Sequence, residues 1–261
     1  MTNFLSYCVH VLTAQLQIFF KLDSLEKLIF ISKIILAIVL FQIIKLIIRL
    51  LVNIHVAHKS IPYSSTVVRD QKILILGDST AYGAGASKPE DTIAGRLAHD
   101  FPDSQIINLS KNGALIKDLK EQIKPVQNQV FSMIIISCGG NDVLHFTSIR
   151  TIRDTLSSVF RDLEHCAPKQ KIIFLLYNNI ASAPILPFFM QFFLKHHSKK
   201  VQETIQNSAK ATQVRVIELF VHEANNPFLE KPKKLFARDG IHPSSRGYEL
   251  WYNRMWRLLV L

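Results

Sequence analysis

The chain has 261 residues, of which 48% are hydrophobic, and it carries a formal net charge of +11; this length suggests one or two domains. Its three cysteines form no CxxC pair and show no metal-ligand spacing, and their odd number argues against a disulfide framework. The basic residues are scattered without zinc-finger spacing or a basic heptad helix, so nucleic-acid binding would rest on net charge alone and we expect none.

The first 54 residues are predicted to form a membrane-associated helical segment. Residues 4–20 are apolar, and residues 28–51 are almost wholly Ile, Leu, Val and Phe. The uncharged stretch 34–44 supplies only about half of the roughly 20 residues that a spanning helix needs, so its flanking charges would have to reach opposite interfaces. The segment is therefore expected either to span the bilayer or to lie in its interface, with membrane lipid contacting residues 28–51. A basic start and an A-x-A-like site are both missing, so a cleaved signal peptide is not predicted.

A linker and an α/β domain follow. Residues 55–71 contain a proline and a Ser-Ser-Thr cluster and are predicted to be the linker, and residues 72–261 the domain. Strands are predicted at residues 72–76, 105–109, 133–137, 171–176 and 214–219. Helices are predicted at residues 92–100, 115–130 (with a break near Pro125), 149–165, 191–211 and 244–261. Five short Ile/Leu/Val-rich strands separated by helices indicate a parallel sheet covered on both faces, which is a three-layer α/β fold.

Polar clusters follow four of the strands. They read Gly-Asp-Ser-Thr after the first, Asn-Gly after the second, Gly-Gly-Asn-Asp after the third and Asp-Gly-Ile-His after the fifth. The carboxyl ends of parallel strands share one edge of the sheet, where ligands bind. Ser79 can be a nucleophile if a base removes its proton, and His242 can be that base. Asp239, three residues before His242, can orient the imidazole and stabilise its charged form.

Donors for a tetrahedral oxyanion are also available in these clusters. The candidates are the backbone N–H of Ser79, the backbone N–H of Gly113 and the side-chain amide of Asn141. Gly113 suits this role because it has no side chain to block the substrate. Asp78 and Asp142 are predicted to be structural acceptors in loops or caps.

These four blocks resemble the signature blocks of the SGNH (GDSL-like) hydrolase superfamily, over the chain from about residue 72 to its end. The resemblance implies a flavodoxin-like fold with five parallel strands and an esterase, lipase, thioesterase or acetylesterase activity. Carried over by position, it implies Ser79, Asp239 and His242 as the triad, with Ser79, Gly113 and Asn141 forming the oxyanion hole. The first block has Thr where the eponymous motif has Leu, a departure that does not touch the chemistry. Neither a metal nor an organic cofactor is implied.

Residues 180–194 follow the fourth strand and combine two prolines with clustered Phe and Met. Such a segment would suit an acyl-binding flap or a lid that dips into the membrane, with Phe188 and Phe189 as candidate substrate-binding residues. A loop and helix packed into the core is the alternative.

Together these features predict a membrane-associated serine carboxylic-ester hydrolase. It would act through an acyl-serine intermediate on lipid-like acyl esters, as a lysophospholipase, lipase or thioesterase does. The alternatives are an acyltransferase, an acetylesterase acting on cell-envelope glycans, and a catalytically silent membrane-anchored binding module. No obligate protein partner is implied. Basic residues after the apolar run favour a cytoplasmic catalytic domain, although lysines before the run dilute that signal.

Overall fold

The structure is a computed structural model that describes residues 23–176, 180–220 and 226–260. The apolar segment predicted at residues 4–20 lies outside the described residues. The chain divides into two compact units, residues 1–48 and 49–261. The second unit contains the α/β fold and the candidate site.

Helix α1 (Ser24–Lys59) is predominantly apolar, and residues 34–44 within it are uncharged. Its 36 residues correspond to a length of about 54 Å, against a hydrocarbon core of about 30 Å. Within the described part of the chain none of its side chains is buried, and Phe41 at its middle is 65% exposed. The predicted N-terminal apolar helix is therefore confirmed. By length and composition it is able to cross a membrane, which is true both of an anchor and of a signal sequence.

Five parallel strands form the sheet, in the order β2-β1-β3-β4-β5. They are β1 (Gln71–Gly77), β2 (Ser104–Asn108), β3 (Met133–Ser137), β4 (Ile172–Leu176) and β5 (Arg215–Glu218). The predicted five-stranded sheet is confirmed, and each predicted strand end lies within one residue of the observed end. The order is that of flavodoxin-like folds, in which the chain moves outward on both sides of β1 and leaves a crevice at the carboxyl ends of β1 and β3.

Helices cover both faces of this sheet. They are α2 (Ser79–Tyr82), α3 (Ile93–Asp100), α4 (Leu119–Ile123), α5 (Gly140–Leu144), α6 (Ile149–Leu163), α7 (Phe188–Thr212), α8 (Pro227–Glu230), α9 (Pro232–Leu235) and α10 (Ser245–Val260). On one face, Ile73 of β1 packs in a buried cluster with Leu97 of α3 and Tyr248 of α10. On the other, Phe174 of β4 meets Phe160 of α6 edge to face, with ring centroids 6.3 Å apart. The predicted three-layer α/β fold is therefore confirmed.

Two predicted helices differ from the observed ones. The stretch 115–130 is a short α4 between two 3₁₀ turns, Ile116–Asp118 and Lys124–Val126. Pro125 lies in the second turn, and its missing N–H explains why the α-helix ends there. Helix α7 begins three residues earlier than predicted, directly after Pro187 at its N-cap.

Candidate active site

The turn after β1 presents Ser79 at the carboxyl edge of the sheet. Gly77 ends β1 with φ +135°, and a Cβ atom there would lie 1.9 Å from the carbonyl oxygen of Ser137 in β3. Only glycine allows this contact, because a side chain would collide with backbone that cannot move aside. The next residue, Asp78, donates its N–H to the same Ser137 oxygen at 2.9 Å. Strand β3 therefore fixes the point at which the chain turns.

Asp78 then starts helix α2. Its carboxylate, 1% exposed, accepts from the N–H and the hydroxyl of Thr80 at 2.8 and 2.7 Å. This is an N-cap, and it confirms the structural role predicted for Asp78. Ser79 becomes the first residue of α2, half-buried, with a backbone N–H that has no acceptor within its own helix turn.

Ser79, His242 and Asp239 form one chain of hydrogen bonds. The Ser79 Oγ lies 2.8 Å from His242 Nε2, and His242 Nδ1 lies 2.6 Å from Asp239 Oδ2. His242 is 6% exposed and Asp239 is fully buried. The other carboxylate oxygen, Oδ1, accepts the backbone N–H groups of Ile241 and His242 at 3.0 and 3.1 Å. The carboxylate is therefore fixed by the turn that carries the imidazole.

The electrostatics of this turn favour an ionised Asp239. Burial raises the pKa of its carboxyl, but hydrogen bonds from the His242 ring and from two backbone N–H groups outweigh burial, so the pKa lies below its usual value. An ionised carboxylate only accepts hydrogen bonds, so His242 Nδ1 is the donor. The Nε2 atom is then left to accept the Ser79 hydroxyl proton.

Two glycines allow the His242 turn to approach α2. Gly240 has φ +72° inside the turn, a backbone conformation that glycine adopts readily. Gly85 is the second of these glycines. A Cβ at Gly85 would lie 2.5 Å from the Pro243 carbonyl oxygen and 2.8 Å from the His242 Cβ. Gly85 is thus the place where the segment after the nucleophile packs directly against the residue that would act as base.

The predicted oxyanion donors lie on the loops after β2 and β3. Gly113 is exposed with φ +77°, and no atom lies within 4 Å of the position a Cβ would take. Asn141, in the first turn of α5, donates its side-chain N–H to the carbonyl oxygen of Ala114 at 3.0 Å. The side chain of Asn141 is therefore hydrogen-bonded to the residue that directly follows Gly113, and the space beside Gly113 is open.

Two further residues hold the turn that carries Ser79, and sequence reasoning missed both of them. The Gln122 side chain, 2% exposed, accepts the Gly77 N–H and donates to the Gly77 carbonyl, both at 2.8 Å. The buried Tyr248 hydroxyl donates to the carbonyls of Thr80 and Ala84, at 3.2 and 2.8 Å. Burial raises the pKa of Tyr248 well above its usual value, which keeps this donor protonated. Both are polar residues within helices, with no local signal of their function.

Asp142 connects helix α5 to the segment after β2. Its carboxylate is fully buried, and Oδ2 accepts the N–H of Ile116 at 2.9 Å. Burial raises its pKa to about 6, although hydrogen bonds from Ile116 and Thr147 oppose this shift. The structural role predicted for Asp142 is confirmed by these contacts.

The segment predicted as a flap contacts the His242 turn. Ile185 donates its N–H to the Gly240 carbonyl at 3.0 Å, and its side chain is buried. Helix α7 begins shortly afterwards, with Phe188 67% exposed, Phe189 half-buried and their rings 5.9 Å apart. The segment 180–194 therefore consists of a packed turn followed by the start of α7. The aromatic ring of Phe188 lies at the surface.

An apolar cavity lies beside the loop after β3. The space between its walls, about 260 Å³, includes open solvent, so the feature is a shallow surface depression. The side chains of Val143, Leu176, Ile180, Val201 and Ile205 line it, together with the backbone of the Gly-Gly pair that precedes Asn141.

The model of the GDSL-like lipase/acylhydrolase family matches residues 75–250. No curated protein sequence matches the chain.

Solved structures share the fold at low identity. A lipolytic protein of the G-D-S-L family from Veillonella parvula aligns with a TM-score of 0.57 and 17% identity, covering 73% of this chain and 98% of that one. An extracellular lipase from Streptomyces rimosus aligns with a TM-score of 0.54 and 14% identity, covering 72% of this chain and 99% of that one. The acetylxylan esterase Axe2 from Geobacillus stearothermophilus aligns with a TM-score of 0.53 and 19% identity, covering 76% of this chain and 97% of that one.

Proposed function

The chain belongs to the GDSL-like lipase/acylhydrolase family and is an ester-bond hydrolase, and on that premise we propose that Ser79, His242 and Asp239 are its catalytic triad. The observation that carries the proposal is the unbroken hydrogen-bond chain from Ser79 Oγ through the His242 ring to a buried carboxylate.

The proposed reaction has two halves. The Ser79 oxygen attacks the ester carbonyl carbon while His242 Nε2 takes the hydroxyl proton, and Asp239 stabilises the imidazolium. The tetrahedral intermediate collapses, the bond to the leaving alcohol breaks, and His242 returns the proton to that alcohol. Water then attacks the acyl-serine with His242 again as base, which releases the acid and restores the Ser79 hydroxyl.

The proposed oxyanion hole combines three donors. They are the backbone N–H of Ser79, the backbone N–H of Gly113 and the side-chain amide of Asn141. A primary amide has two N–H bonds, so Asn141 can keep its contact with Ala114 and direct the other hydrogen towards the oxyanion. Donors fixed before the reaction are worth more than mobile water, because they need not reorganise.

Lipid-like acyl esters are the proposed substrates, met at a membrane. Support comes from the exposed apolar surface of α1. Phe188 and Phe189 stay proposed acyl contacts, at the start of α7. The proposed location of the catalytic domain is the cytoplasmic side, because Lys45, Arg49 and Lys59 follow the most apolar part of α1.

A fluorophosphonate probe tests the triad, because it labels only an activated serine. We expect the full chain to be labelled, and Ser79→Ala and His242→Ala to lose both labelling and ester turnover. Ser132→Ala is the matched control, since Ser132 is an exposed serine before β3, at the opposite edge of the sheet. Absence of labelling in a folded chain would contradict the proposal and favour a silent binding module.

Substrate class is tested with p-nitrophenyl esters of increasing acyl length. A lipid-directed enzyme should turn over medium and long acyl chains faster than acetate. A preference for acetate would contradict the lipid proposal and favour the acetylesterase alternative. Added alcohols that accept the acyl group in competition with water would reveal an acyltransferase.

A further inference from the structure

The first two turns of α7 expose aromatic side chains. Phe188, Phe192 and Phe193 are 67%, 79% and 68% exposed. Phe188 and Phe192 are four residues apart and lie on one face of the helix, while Leu194 and Val201 on the opposite face are buried in the domain. Neighbouring exposed aromatic rings are apolar area that the domain core does not use, and such surface commonly marks an interaction site.

Basic residues continue this face along the helix. Lys195, His196, Lys199 and Lys200 are exposed, and residues 180–202 contain neither Asp nor Glu. Glu203, the next residue, is acidic, with its carboxylate 3.8 Å from Lys199 Nζ, so the four basic residues still outnumber it. The surface thus changes from aromatic to cationic within four turns. Aromatic rings favour the headgroup level of a bilayer, and lysines beside them attract anionic lipids.

The same segment leads back to the proposed active site. Four residues before Phe188, Pro184 lies against Gly240, with its Cβ 3.4 Å from where a Gly240 Cβ would be. Ile185 then donates its N–H to the Gly240 carbonyl. Gly240 lies between Asp239 and His242, so whatever binds the start of α7 is held near the catalytic turn.

We propose that Phe188, Phe192, Phe193, Lys199 and Lys200 form a docking face for an anionic lipid bilayer. Charge complementarity selects this occupant: a second copy of the chain would oppose lysines to lysines, whereas anionic headgroups would pair with them. The inference rests on the proposed function only in that the bilayer would supply the acyl ester. Docking then delivers the substrate beside the catalytic turn.

The test uses the full chain in vesicles. A Phe192→Cys variant carries a nitrobenzoxadiazole fluorophore, in a Cys8→Ser background, because Cys138 and Cys166 are buried. The vesicles contain phosphatidylcholine with or without phosphatidylglycerol, and nitroxide lipids serve as quenchers. The control probe is at Val130→Cys, which is 72% exposed and precedes β3 at the opposite edge of the sheet.

We expect the probe at position 192 to shift to the blue and to be quenched by nitroxide lipids in anionic vesicles, and the probe at 130 to do neither. Lys199→Gln should weaken docking roughly fivefold. Lys171→Gln, which removes an exposed lysine before β4, should leave docking unchanged. Equal quenching at both positions, or none at either, would overturn the proposal. So would a blue shift without quenching, since protein would then cover the probe.

Lipid quenching is measured without turnover, so the two proposals fail separately. Quenching at 192 in a chain that hydrolyses no ester would overturn the proposed function and support the docking face. Hydrolysis of soluble esters without quenching would overturn the docking face alone. The Ser79→Ala chain is expected to dock as the unmodified chain does.

Discussion

Single residues far from Ser79 in the chain determine where its hydroxyl lies. Gln122 is the clearest case, because its amide pairs with both backbone groups of Gly77. Gln122→Leu keeps much of the volume but leaves a buried N–H and a buried C=O without partners, at about 1–3 kcal/mol each. We expect a lower unfolding temperature and slower fluorophosphonate labelling of Ser79, with little change in KM for a soluble ester.

Gln127→Leu is the matched control, since Gln127 is exposed on the same segment. It should alter neither stability nor labelling. Gln122→Glu retains an acceptor for the Gly77 N–H and should recover part of the labelling rate. If Gln122→Leu lowered the unfolding temperature and left labelling unchanged, Gln122 would stabilise the fold without positioning the nucleophile.

Asp142 should make the fold sensitive to pH in the unusual direction for a carboxyl. Its pKa is raised by burial from 3.8 to about 6, so the folded state holds the proton more tightly than the unfolded state. Its contribution to stability is therefore fully present below pH 3.8 and is lost as the pH rises through about 6. At neutral pH the ionised group costs up to roughly 3 kcal/mol.

Asp142→Asn can still accept the Ile116 N–H but cannot ionise. We expect this variant to unfold at a higher temperature than the parent chain at pH 7.5, with the difference shrinking towards pH 5. Thermal unfolding, followed by tryptophan fluorescence, gives the unfolding temperature of each variant at both pH values. Asp154→Asn, on the exposed face of α6, should show no such trend. A parent chain and an Asp142→Asn variant with parallel pH profiles would contradict the assignment.

Sequence predicts some of these residues and not others, for a physical reason. Ser79, Asp239 and His242 lie in short motifs after strands, where the parallel topology requires polar groups to meet. Gln122 and Tyr248 lie within helices, and only contacts with residues far away in the chain distinguish them from ordinary polar positions.

Among the elements, the central strands β1, β3 and β4 were the most predictable, because each is a short apolar run with buried side chains on both faces. The edge strands β2 and β5 are only partly buried. The four-residue helices α8 and α9 were not, since a single turn shows no periodicity. The early start of α7 depends on Pro187, which can end a loop as readily as begin a helix.

The uncharged stretch of helix α1 leads to a prediction about membrane insertion. Ile38→Asp introduces a charge in the middle of the uncharged stretch, at about 2.5–3.5 kcal/mol if that position lies in hydrocarbon. We expect this variant to leave the membrane pellet after an alkaline wash, whereas the parent chain stays. Asn53→Asp, near the end of the helix, should remain in the pellet. Equal retention of both variants would argue against insertion of the middle of α1.

At the scale of the whole molecule, the resemblance of the four blocks to the SGNH hydrolase superfamily implied a flavodoxin-like topology, and the observed strand order and the family match over residues 75–250 agree with it. The division at residues 54 and 71 stays a prediction. Sequence could not specify the packing of the segment before α7 on the Asp239–His242 turn, because that contact joins two loops whose sequences carry no pairing signal.

The side of the membrane is a property of the whole chain and can be measured at Val68, which is 76% exposed after α1. In a Val68→Cys, Cys8→Ser chain expressed in cells, we expect a membrane-impermeant maleimide to react only after permeabilisation, as a cytoplasmic domain requires. Reaction in intact cells would place the domain on the other side.

The hydrogen bond between Ser79 and His242 joins residues 163 positions apart. Tyr248 of α10 ties the C-terminal helix to the same turn. During synthesis on the ribosome, the serine therefore emerges long before the imidazole that would activate it. A nascent or C-terminally truncated chain cannot form this pair, so a half-made protein at a membrane would be chemically inert towards the lipids around it.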